Sequence, residues 1–198
     1  MILRVPRIID YAEVLRQRTE EGFRSLYHNS GAFGFPRDVE SSLKTIAWIG
    51  PDDTTIRPAA REFVRHVLAP FPRTLASLSA DVWQKHLTGP VWVMPMSHWS
   101  FELDFGHRDW LPGLLQQISV DQRMLKGRNT ADAIAFEQGE RELYETLVAG
   151  LLENLKASDF AIAFPGHPVL CMLHHHEQLW WQTPDVAVHE AIDAAVPR

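Results

Sequence analysis

His174, His175, His176 and Glu177 follow one another in the chain, and this run is the first candidate for chemistry. On an extended strand, side chains two apart leave the same face with their Cα atoms about 6.8 Å apart, so His174 and His176 can converge on one ion. Three consecutive strand residues cannot all do so. A further ligand has to come from another element, and the segment from His98 to Phe105 offers one. Its strict alternation puts His98, Ser100, Glu102 and Asp104 on one face and Trp99, Phe101, Leu103 and Phe105 on the other, the pattern of a half-buried strand. Glu102 or Asp104 then serves as third ligand or as general base. Two histidines and a carboxylate around an open position suit Zn²⁺ or Fe²⁺ and an ion-activated water, the parts of a metal-dependent hydrolase.

Other residues could serve binding or proton transfer. His98 and His107 bracket the acidic segment and His167 sits in a PGHP turn. A histidine beside Glu102 or Asp104 could act as general acid or base, with a solvated strand face as the plain alternative. Seven Trp against three Tyr is a high ratio, and the adjacent Trp180 and Trp181 must face opposite sides of any strand they share. One of the pair then lines a cleft or a surface, and together with His98 they form the candidate binding surface. Arg57, Arg61 and Arg65 recur every four residues and would make a basic stripe on a helix.

Several chemistries lack their motif. No G-x-S-x-G run occurs, and the histidines of His176-Glu177 and His189-Glu190 have no second histidine one turn later. GAFGF and GRNTADA do not complete a phosphate loop. Cys171, between Leu170 and Met172, reads as an inert core thiol.

The chain has 198 residues, 45% hydrophobic and 22% charged, with one cysteine and ten histidines. One cysteine cannot form an internal disulfide, and this length buries enough surface for a core without staples. Residues 1–80 hold eleven Lys/Arg against nine Asp/Glu and the remainder eight against sixteen, which makes the second part strongly acidic. That balance repels a phosphate backbone, so nucleic acid is not an expected partner. No apolar stretch reaches the roughly 18 residues needed to span a bilayer, and a cytoplasmic location is the expectation.

The elements that must position these residues follow from periodicity. Helices are expected from Ile8 to about Tyr27, from a cap at Thr54 or Thr55 with Pro58 in the first turn to Pro70, and from Thr74 toward Leu87. Strands are expected at residues 43–49 and 91–105, and a hairpin from segments 159–164 and 169–181. A loop at 28–36 anchors Phe33 and Phe35, a short helix follows Asp109, a long helix fits residues 130–156, and Asp185 caps a C-terminal helix. The fold class is α+β, a small antiparallel sheet packed on the long helix with N-terminal helices flanking, in one domain over 1–198. Its uncovered face would carry His98, Glu102, Asp104 and the residues of 174–181. Function is expected there, as a non-enzymatic module docking a protein or small-molecule ligand. The metal-dependent enzyme is the alternative.

Overall fold

The computed structural model describes residues 5–49, 62–68, 72–105 and 109–197. The fold class is α+β as expected, but the sheet is larger, with eight strands among the described residues. In chain order the elements are β1 (Arg7–Ile9), α1 (Tyr11–Glu20), the short β2 (Arg24–Ser25) and β3 (Phe33–Gly34), β4 (Lys44–Ile49), β5 (Glu62–Val67) and α2 (Pro72–His86). There follow β6 (Val91–Pro95), α3 (Trp110–Gln117), β7 (Ala133–Phe136), α4 (Arg141–Asn154), β8 (Phe160–Ala163), β9 (Leu170–His174), β10 (Gln178–Thr183) and α5 (Val186–Ala194). The main sheet runs β1-β7-β6-β8-β9-β10-β4-β5, antiparallel throughout except for the parallel pair β4 and β5 at one edge, while β2 and β3 pair separately. Among the described residues, no helix is long and apolar enough to cross a membrane.

One face of the sheet lies under α2, α4 and α5. Trp48, Trp83, Trp99, Trp181, Tyr144, Phe136, Phe160 and Phe164 are fully buried there, each contributing roughly 1.5–3 kcal/mol by leaving water. Their rings meet at angles: Trp48 and Trp181 have centroids 5.2 Å apart, and Trp83 and Tyr144 5.1 Å. α4 supplies Tyr144, Leu147, Val148, Leu151 and Leu152 at helical spacing. The other face is covered in part by α1 and the segment after it, where Val14, Phe23, Phe33 and Phe35 pack on Trp92, Met94, Ala133, Ala135 and Ala163.

Four expected elements take another form. The expected long helix over 130–156 is a strand followed by a shorter helix: Ala133–Phe136, buried on both sides, fills the space between β1 and β6. The switch is made at Glu137, whose backbone N–H donates to Glu140 Oε2 at 2.8 Å in a capping box. The expected helix over Ile8–Tyr27 begins as strand and becomes α1 only at Tyr11. Glu62–Val67, expected to be helical, is an edge strand in which the β-branched Val64 suits a pleated surface. Of the expected arginine stripe, Arg65 is on that strand and not on a helix, and Arg57 and Arg61 lie outside the described residues.

The fourth correction bears on function. From Trp99 to Phe105 the segment is helical, with a π-helical turn over Phe101–Phe105. Trp99 and Glu102, three apart, both point inward, while Phe101 and Asp104 are exposed. A helical turn groups positions three apart, so the shared face expected for Glu102 and Asp104 does not exist. His107 lies outside the described residues.

Candidate functional site

One end of the sheet collects polar residues because antiparallel pairing brings three strand ends together. β6 ends at Pro95, which pairs with Phe160 at the start of β8, and Phe160 pairs in turn with Leu173 near the end of β9. The residues just beyond these pairs are Ser97, Ser158, Asp159 and the three histidines. Ser97 Oγ donates to Glu102 Oε1 at 2.6 Å and Ser158 Oγ to Glu102 Oε2 at 3.1 Å, so the fully buried carboxylate is held by two hydroxyls. The next residue, Asp159, accepts through Oδ1 from both the His175 backbone N–H at 3.0 Å and its Nδ1 at 2.8 Å.

The histidine run is not an extended strand. β9 stops at His174, residues 175–177 make the turn, and β10 starts at Gln178, opposite His174. Glu177 has φ of 59°, the left-handed position that closes a three-residue hairpin loop, normally a glycine site. Curling the chain overturns the expectation that three consecutive histidines cannot converge. One ligand nitrogen from each of His174, His175 and His176 lies within 4.8 Å of the others, and the ring centroids are 4.2 to 4.9 Å apart. Neither Glu102 nor Asp104 belongs to that group.

The remaining expected residues separate. Asp104 is exposed and accepts from the Gly127 backbone N–H at 3.2 Å. His98 Nδ1 accepts from the Phe101 backbone N–H at 3.1 Å and lies 2.8 Å from Ser100 Oγ, so its ring caps the helical turn. Trp181 is removed from the candidate binding surface, being buried in the core and stacked on Phe164 at 5.7 Å. Trp180 is half-buried on the opposite face, its indole N–H donating to Gln178 Oε1 at 2.7 Å. Cys171 is the inert thiol expected, its pKa pushed well up by burial.

Trp180 belongs to a cavity that sequence reasoning missed. On the face that α1 leaves uncovered, a cavity of about 220 Å³ lies between the sheet and the loop joining β2 to β3. Ala161 and Ala163 form a low floor, with Met94, Met172 and Trp180 around it and Leu26 and Phe33 across from them. The loop approaches so closely because of Gly31: its N–H donates to Pro95 O at 3.1 Å, and a Cβ there would stand 2.4 Å from the same oxygen. A wider cleft of about 380 Å³ lies beside α2, α3 and α4, lined by Arg73, Gln117 and the acidic outer face of α4, where Glu145 is already paired with Arg141 at 2.7 Å.

Two signals were available for the missed residues. A hairpin register pairing Phe160 with Leu173 puts Asp159 opposite His174, and alternation along β9 sets Leu170, Met172 and His174 on one face. No signal in the sequence joins residues 26–33 to that face. The chain matches no protein-family model, no curated protein and no solved structure, so its function rests on the chemistry of these residues.

Proposed function

We propose that the protein is a binding module for a small, largely apolar molecule held on the second face of the sheet. The observation that carries this reading is the preformed cavity lined by Leu26, Phe33, Met94, Met172 and Trp180 over Ala161 and Ala163. An apolar cavity of about 150 Å³ accommodates benzene, so about 220 Å³ suits a bicyclic aromatic or a short aliphatic chain. The methionines suit such a role because their unbranched side chains repack around different shapes. Gln182, at the cavity wall, supplies a polar group that can fix orientation.

The hydrolase reading has less support. Its two carboxylates do not stand with the histidines: Glu102 is enclosed by Ser97 and Ser158, and Asp104 is turned toward Gly127. The test of the binding reading is saturation-transfer NMR with indole, toluene and hexanol as probes on the full chain and on Ala161→Phe, which fills the floor. At least one probe binds saturably to the wild type and loses tenfold or more in affinity with the variant. Binding by none, or binding unchanged by a filled floor in a folded variant, overturns the reading.

A further inference from the structure

We propose that the β9–β10 turn is a binding site for one divalent first-row transition-metal ion, taken up by the imidazoles of His174, His175 and His176. The proposal stands independently of the cavity.

The geometry starts close to what such an ion needs. Zn–N bonds of about 2.0–2.1 Å in a tetrahedral site put ligand nitrogens roughly 3.3 Å apart. One nitrogen from each ring lies within 4.8 Å of the others, so side-chain rotation closes the set. His176 is exposed, while His174, at the end of β9, and His175, held by Asp159, are half-buried.

The feature that separates this turn from a plain run of histidines is Asp159. Its Oδ1 accepts from His175 Nδ1 at 2.8 Å, and an ionised carboxylate only accepts, so the ring proton sits on Nδ1. The Nε2 lone pair is thereby left for a metal, in the carboxylate–histidine–metal arrangement that fixes ring orientation and raises ligand basicity. Asp159 also holds the His175 backbone N–H at 3.0 Å, so ring and main chain are positioned by one group. His174 is set differently. Its Nδ1 accepts from the His176 backbone N–H at 3.2 Å, a long contact that must be given up if the ring is to present Nε2 as the metal-binding atom. Three neutral imidazoles leave a fourth position open to water, and an all-nitrogen set suits Zn²⁺, Ni²⁺ or Cu²⁺ rather than Mg²⁺ or Ca²⁺.

The experiment is isothermal titration of the untagged, chelator-treated full chain with ZnCl₂ at pH 7.5, with MgCl₂ as control. One Zn²⁺ binds per chain and Mg²⁺ gives no heat of binding. Asp159→Asn keeps the stoichiometry and weakens the affinity 10- to 100-fold, as loss of an outer-shell carboxylate does. His175→Ala with His176→Ala removes the site, and the circular dichroism of both proteins stays that of the wild type. Absence of one-to-one binding overturns the proposal. So does Zn²⁺ affinity in Asp159→Asn equal to that of the wild type, because the ion would then be held by an unorganised cluster of histidines.

Discussion

Replacing Asp132, a buried carboxylate on which three chain segments converge, separates two contributions to stability. Asp132 is almost completely buried just before β7. Its Oδ1 accepts from the Tyr11 backbone N–H at 2.7 Å, at the start of α1, and its Oδ2 accepts from Arg128 Nη1 at 3.0 Å and Thr130 Oγ at 3.3 Å. Its carbonyl accepts from Trp99 Nε1 at 2.7 Å, and the neighbouring Thr130 and Arg128 carbonyls accept from the backbone N–H groups of Trp99 and Ser100. Asp132→Ala leaves the Tyr11 N–H buried without its acceptor, at about 1–3 kcal/mol. Loss of the Arg128 pair adds about 1 kcal/mol, because the guanidinium is 39% exposed and rehydrates. The expected destabilisation is about 3 kcal/mol, or roughly 6–12 °C in Tm for a chain of this length. Asp132→Asn keeps the acceptor for Tyr11 and loses the ion pair and the long Thr130 contact, so it costs about 1 kcal/mol. Urea unfolding followed by tryptophan fluorescence, with an unchanged m-value, measures both. A cost below 1 kcal/mol for the alanine variant, or an asparagine variant as unstable as the alanine one, refutes the assignment of the Tyr11 N–H as the dominant loss.

Two further predictions concern buried ionisable groups. Arg18 is fully buried, with its guanidinium 3.7 Å above the Phe23 ring and paired to Glu21 at 2.5 Å, and burial lowers its pKa to about 10. That drop corresponds to about 3 kcal/mol against the charged form. Arg18→Met therefore stabilises by about 1–3 kcal/mol in thermal unfolding at pH 7, whereas Glu21→Ala destabilises by about 3 kcal/mol, and a destabilised methionine variant would show that the charge is needed. Burial also raises the Cys171 thiol well above its ordinary value. The folded state then keeps a proton that the unfolded state loses, so stability is complete below the ordinary thiol pKa of about 8.5 and falls above it, with a slope approaching 1.4 kcal/mol per pH unit. Tyr144, raised by burial in the same direction, adds its own fall only above about pH 10. Urea unfolding between pH 7 and 10 checks this, and a Cys171→Ala variant with the same slope would refute the attribution to the thiol.

The α+β class, β4, β6, the β8–β9 hairpin and the Asp185 cap were legible because each rests on a local signal. Asp185 shows how local: its Oδ1 accepts from the N–H groups of Ala187 and Val188 at 2.8 and 3.1 Å, all within one helical turn. The failures came where a local pattern fits two structures. In HWSFELDF, the alternation fits a strand, while positions 99 and 102 share one face only in a helix, where Glu102 meets Ser158 from more than fifty residues away. Residues 133–136 carry alanines that suit a helix, yet a gap between β1 and β6 makes them a strand.

The site was legible in its residue types and not in its shape. Histidines and tryptophans stood out by number, and their stretch of chain does hold both the turn and one wall of the cavity. Treating 169–181 as one extended segment hid the turn, and only the turn lets adjacent histidines meet. The cavity depends on what is missing: two alanines on β8 leave the floor low, and a glycine lets a distant loop close over it within hydrogen-bond distance of Pro95. Small residues carry no chemical signal of their own, so a binding face built around them becomes visible only when the larger side chains at its rim are placed. Met172 is at that rim, and His174 shares its face of β9 about 6.8 Å further along, which sets the histidine turn and the apolar cavity next to each other on one strand.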